Sequence, residues 1–197
     1  MPFSASPVRR LADTALVPKL GDGQAFPPAA GGMRRRDFFA DIVAHLRSSL
    51  STELQAFEHS LNASLLKVYY GNERVHYEVW ANSQTWTIEI GLHFEDGPIT
   101  TAAYLAHFDT HIVELKHLLG PGVELERWTS SWGHLYELMP LTTLDADLAR
   151  EAAGRLSAMI DVLQPLVVSA GIEAERSASP LENEARGPWR KWRRGGR

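Results

Sequence analysis

Residues Trp86 to Glu95 alternate without a break, with Trp86, Ile88, Ile90, Leu92 and Phe94 on one side and Thr87, Glu89, Gly91, His93 and Glu95 on the other. A period of two over such a run is a strand with one face on a core and the other off it. A helix would scatter the same apolar residues around its circumference. The chain must therefore build an amphipathic sheet, and its remaining pattern has to supply strand partners and a cover.

The partners lie on either side. Leu66, Val68 and Tyr70 alternate with Lys67 and Tyr69, and Val75, Tyr77 and Val79 alternate with His76, Glu78 and Trp80. Gly71-Asn72 between them suits a tight hairpin. A two-residue loop there pairs Tyr70 with Glu73, Val68 with Val75 and Leu66 with Tyr77, which keeps the apolar sets on one side. A loop over 81–85 leads into the next strand. Placing Thr87 opposite Glu78 sets His76 against Glu89, a favourable contact. A two-residue shift would set Glu78 against Glu89. Asp96-Gly97-Pro98 ends the strand. Two shorter strands are expected over Val123–Trp128 and Trp132–Met139. The last is ambiguous, with Trp132, His134, Tyr136 and Leu138 on one side and Leu135, Glu137 and Met139 on the other.

The cover is helical. Phe38, Ile42, Leu46, Leu50, Leu54, Phe57 and Leu61 fall at steps of three and four, as one long helix or two short ones. The Ser48-Ser49 and Ser51-Thr52 pairs are the weak point, because their hydroxyls compete for backbone groups. Leu105, Phe108, Ile112, Leu115 and Leu119 mark a helix within 99–119, with Thr100 as a cap and Gly120-Pro121-Gly122 as a stop. Leu148, Ala152, Leu156, Met159, Ile160 and Leu163 mark a last helix, capped by Thr143 or Asp145 and ended or kinked by Pro165. The expected fold is α+β: a two-layer, antiparallel five-stranded sheet with three helices on one face, in the order α-β-β-β-α-β-β-α. The other face is then open to water or a partner.

Charge divides the chain further. Residues 1–32 carry 3 basic and 2 acidic residues (+1), residues 33–171 carry 10 and 18 (-8), and residues 172–197 carry 7 and 4 (+3), summing to the net -4. The expected organisation is a disordered extension over 1–32, one α+β domain over 33–171 and a disordered basic tail over 172–197. Met33 is a second candidate start. Tail residues Trp189, Arg190, Lys191, Trp192, Arg193 and Arg194 mix indoles with positive charge, a composition suited to nucleic acid. The acidic core confines nucleic-acid binding to that tail. No apolar run approaches a membrane span of roughly 18 residues, and a cytoplasmic setting is expected.

The chain has no cysteine, which excludes disulfides, thiol nucleophiles and cysteine-ligated zinc. No nucleophile elbow, P-loop or dinucleotide fingerprint is present. His107, His111 and Glu114, with His117 following, have a spacing that brings two imidazoles and a carboxylate onto one helix flank. They read more simply as boundary histidines. His76, Glu78, Glu89, His93 and Glu95 share the open sheet face, where carboxylates beside imidazoles suit acid–base work. A solvated face with cross-strand pairs accounts for them more simply. No catalytic residue, metal ligand or cofactor is therefore expected. The candidate binding residues are Tyr69, His76, Glu78, Trp80, Glu89, His93 and Trp128, aromatics set among polar groups.

Two resemblances bear on function. The element order, in an acidic unit of this size, resembles the type III secretion chaperones, small dimers that bind unfolded segments of other proteins. His76-Tyr77-Glu78-Val79-Trp80, Ile88 to Glu95, Glu126-Arg127-Trp128 and a final helix running into Gln164-Pro165 are similar to a bacterial domain family of unknown function, sometimes found beside restriction-endonuclease-like regions. Neither implies catalytic residues. The expected function is non-catalytic protein binding, chaperone-like, with a protein partner or a second copy of the chain. The alternatives are an enzyme or nuclease-accessory domain using the His/Glu face, and nucleic-acid binding through the tail.

Overall fold

A computed structural model describes residues 32–172. The elements run α1 (Arg35–Ser49), β1 (Glu58–Leu61), β2 (Leu65–Tyr69), β3 (Val75–Asn82), β4 (Thr87–Phe94), α2 (Pro98–Asp109), α3 (Ile112–Leu119), β5 (Glu124–Arg127), β6 (Gly133–Pro140) and α4 (Ala146–Ser169). All neighbouring strands are antiparallel, in one sheet of order β1-β2-β3-β4-β6-β5. The architecture is α+β, but the described residues form a six-stranded sheet and four helices, where five strands and three helices were expected.

The extra elements have local causes. The first helix stops at Ser49, within the serine-rich stretch. Leu50 still enters the core, while the continuation of the apparent stripe becomes β1, leaving Leu61 exposed. The second helix breaks after Asp109. The Thr110 hydroxyl donates to the His107 carbonyl at 2.7 Å, and the His111 amide turns back to the Phe108 carbonyl at 3.0 Å. These tight bonds close one helix and let α3 start in a new direction. Thr100 lies inside α2, whose N-cap is Gly97. Asp145 caps α4 as expected, its Oδ1 accepting the Leu148 amide at 2.9 Å. Pro165 does not end α4, which continues to Ser169. Beyond the proline, Leu166 and Val167 still pack against the core and hold the last turn to it.

The alternation in the sequence survives in the sheet. Leu66, Val68, Val75, Tyr77, Val79, Ile88, Ile90, Leu92 and Phe94 join Phe38, Ile42, Leu46, Phe108, Leu156 and Ile160 in one buried cluster. One face of the sheet is thus covered by helices, and the residues of opposite parity form a face that is helix-free among the described residues. Among the described residues, no helix is long and apolar enough to cross a membrane.

Both hairpin registers differ from expectation by an even number of residues. Val68 pairs with Tyr77 and Tyr69 with His76, because the loop spans 70–74. Asn72 organises that loop, its Oδ1 accepting the Arg74 amide at 3.0 Å and its Nδ2 donating to Asp96 at 3.1 Å. In the next hairpin β3 runs on to Asn82, which pairs with Thr87, and Asn82 Oδ1 accepts the Gln84 amide at 2.9 Å. His76 therefore lies opposite His93, not Glu89. Trp80 faces Glu89, and Glu78 faces Gly91. An even shift keeps every side chain on its face and changes only its neighbours.

Candidate functional site

The registers bring three histidines into one row. On the helix-free face, Tyr69 pairs with His76, His76 with His93, His93 with His134 and His134 with Glu126, so the row crosses five strands. His76 and His93 stack at 5.4 Å between ring centroids, and the His93 and His134 rings meet edge to face at 5.1 Å. The Trp128 indole lies against His134 at 4.9 Å, and Tyr136 stacks on the same imidazole at 4.1 Å. The adjacent row is Lys67, Glu78, Gly91, Tyr136 and Glu124. The row beyond that holds Trp80, Glu89 and Leu138.

Gly91 makes the crowding feasible. A Cβ there would stand 2.6 Å from the Leu135 carbonyl oxygen and 2.7 Å from the Tyr136 Cβ. The missing side chain lets β6 approach closely and leaves the space between Glu78 and Tyr136 unfilled by a residue of β4.

Although no helix among the described residues covers this face, His76, Glu78, Glu89, His93 and His134 are all buried. His76 Nε2 is 3.3 Å from Glu78 Oε2. A carboxylate only accepts, so this contact places the proton on Nε2 and leaves Nδ1 as a bare acceptor. His76 Nδ1 has no hydrogen-bond partner. Burial pushes the His76 imidazole below its usual range, against the upward effect of Glu78; Lys67 and His93 add to the lowering.

Glu89 is the centre of a second group. Its Oε1 lies 3.1 Å from His134 Nδ1 and 3.3 Å from His93 Nε2. Only the His134 contact has hydrogen-bond direction; His93 Nε2 is buried with no partner, as is His134 Nε2. Burial raises the Glu89 carboxyl, but the two imidazoles lower it further, and it is held at about 2. Glu126 approaches His134 from the other side, with Oε2 3.7 Å from Nε2, and the Tyr136 hydroxyl donates to that same Oε2 at 3.3 Å.

Of the residues expected from sequence, Tyr69, His76, Glu78, Trp80, Glu89, His93 and Trp128 all fall on this face. Glu89 and His93 meet directly, and Trp128 joins them through His134. Tyr69 borders His76, and Trp80 borders Glu89. Glu95 is drawn aside to Lys67 at 3.3 Å. His134 was not among the expected site residues. The two sides of its strand are equally apolar, and only the position of Gly133 against Phe94 settles which one faces the helices.

The break after Asp109 falls within the His107 group, which was expected to be boundary histidines and not a metal site. The His107 and His111 rings touch at 5.1 Å, but Glu114 is largely exposed and 4.0 Å from His111. Trp189, Arg190, Lys191, Trp192, Arg193 and Arg194 lie outside the described residues, as do residues 1–31.

No protein-family model matches the chain, and comparison with curated proteins finds no relative. The two resemblances noted above therefore rest on the quoted residues and element order alone.

Proposed function

We propose that this protein is a non-catalytic binding domain that works through the helix-free face of its sheet and takes a segment of another protein as its partner. The observation that carries this reading is the burial of ionisable side chains where no helix requires it. Withdrawing imidazoles and carboxylates from water costs free energy unless their partners are well placed. The apolar cluster of the described residues draws its sheet members from the opposite face.

The surroundings suit a partner. Trp128, Trp132 and Leu138 each expose roughly half of their surface, and all three carry the parity of the helix-free face. Aromatic anchors beside a polar centre are the composition of protein contact surfaces. A second copy of the chain is one form such a partner could take. The enzyme alternative is weaker, because a general base must reach the proton it takes, and His76, Glu89, His93 and His134 are all buried.

Site-specific photo-crosslinking in the native host tests the proposal. A photoreactive residue at position 69 or 128 should form protein adducts. One at position 113, exposed on α3, should not. Adducts confined to position 113 would overturn it.

A further inference from the structure

We propose that Glu89, His93 and His134 form a binding site for a single divalent transition-metal ion of the zinc class, held by Glu89 Oε1, His93 Nε2 and His134 Nδ1. The proposal deepens the reading of the helix-free face as the working surface and rests on it.

Geometry is the first argument. Glu89, His93 and His134 each offer a ligand atom, and these lie within 4.8 Å of one another. The two separations from Glu89 Oε1 are 3.1 and 3.3 Å. Ligands bound at about 2.1 Å in tetrahedral or octahedral geometry stand about 3.0–3.4 Å apart. Both separations from Glu89 already match those of ligands around an ion, and the two imidazoles need only close on it from within 4.8 Å of each other.

The unpaired atoms are the second. Hydrogen bonding alone satisfies His134 Nδ1 and leaves His93 Nε2 and His134 Nε2 buried without partners. Their side chains are only 4% and 2% exposed. An ion resolves both. His93 Nε2 gives its lone pair to the metal. His134 changes tautomer, giving Nδ1 to the metal and directing the Nε2 proton toward Glu126, with no net change in protons. Glu126 is steadied there by Tyr136. A carboxylate on the far nitrogen of a ligating imidazole is a recurrent feature of such sites.

Donor chemistry sets the class. Two imidazoles and one carboxylate suit zinc and its first-row neighbours over calcium or magnesium, and leave a position open to water or a partner's donor atom. A second grouping, His76, His93 and Glu95, competes for His93. It is the poorer cation site, because the Lys67 ammonium is 3.3 Å from Glu95.

The untagged full chain, stripped by a chelator, is titrated with zinc chloride in a calorimeter. One equivalent should bind. His93→Gln and His134→Gln should each weaken binding by well over tenfold, Glu126→Gln by roughly tenfold, and His107→Gln should have no effect. Glu126 is half exposed, so its variant folds even if the histidine variants do not. In the wild-type chain, cobalt(II) should broaden the imidazole NMR signals of His93 and His134 first. The proposal is overturned if zinc does not bind, if His93→Gln and His134→Gln bind it as the wild type does, or if broadening centres on His107 and His111. Crosslinking at 69 and 128 is read without metal, so either idea can fail alone.

Discussion

Arg155 reaches down from α4 to Glu137, its Nε donating to Oε1 at 2.6 Å and its Nη2 to Oε2, while Nη2 also donates to the Leu119 carbonyl at 3.0 Å. Glu137 is the carboxylate that β6 turns toward the helices, and this guanidinium ties it to α4 and to the end of α3. Its partner's charge and hydrogen bonds hold the Arg155 guanidinium above its usual range, against burial. Removing the cation leaves a buried carboxylate unpaired. A fully buried pair broken this way costs 3–5 kcal/mol; Arg155 is 44% exposed, so we expect Arg155→Met to cost about 2 kcal/mol. The double variant Arg155→Met, Glu137→Met should recover most of the loss in urea unfolding. A double variant no more stable than the single would show the pair to matter through something other than charge burial.

Gly91 and Gly133 offer an internal comparison. An alanine Cβ at 91 meets backbone and the root of Tyr136, none of which can move without parting β4 from β6. At 133 it meets the tips of Leu105 at 2.9 Å, a side chain with other rotamers. We expect Gly91→Ala to cost about 3 kcal/mol and Gly133→Ala about 1 kcal/mol. Thermal or denaturant melts give the order directly, and the reverse order would contradict the close approach of the two strands.

The cap of α4 is a smaller matter with a cleaner expectation. Asp145 satisfies the Leu148 amide and sits where the helix dipole favours a negative charge. Asp145→Ala should cost about 1 kcal/mol and Asp145→Ser almost nothing, measured by urea midpoint.

How far the site was legible follows from what parity does and does not encode. Facing is a local property. The alternation from Trp86 to Glu95 put Glu89 and His93 on the helix-free face whatever their partners were. Register is set by loop length, and neither Gly71-Asn72 nor the 81–85 stretch specified how many residues each loop would take. The side chains of Asn72 and Asn82 enlarged or reset those loops by bonding nearby amides, so His76 met His93 instead of Glu89. His134 was further from view, since Leu135, Glu137 and Met139 make as apolar a face as Trp132, His134, Tyr136 and Leu138. Only long-range pairing with β4 decides between them. The strand β1 was hidden for a related reason: Phe57 and Leu61 happen to continue the helical spacing of α1, and nothing local except the serines marks where it ends.

Alkaline pH should destabilise the fold, and the tyrosines give the reason. Burial raises the Tyr77 phenol well above its usual value, with Tyr70 and Asp161 adding to the effect, and burial followed by Asp161 raises Tyr70 to about 12. Both hydroxyls are committed as donors, Tyr70 to the Leu54 carbonyl at 2.7 Å and Tyr77 to Gln164 at 3.1 Å. In the unfolded chain both titrate near their ordinary value of about 10. Between that pH and the folded values, the unfolded state binds fewer protons than the native state, so unfolding free energy falls as pH rises. Each phenol held neutral contributes a slope of about 1.4 kcal/mol per pH unit. Stability from these two groups is fully present below about pH 10 and is lost on the way to the folded values. Tyr70→Phe should lower stability at neutral pH by the lost hydrogen bond, about 1 kcal/mol, yet shallow the decline above pH 10. Urea midpoints for wild type and variant, taken on both sides of that pH, give the two slopes. Parallel slopes would mean that Tyr70 ionises as freely in the fold as outside it.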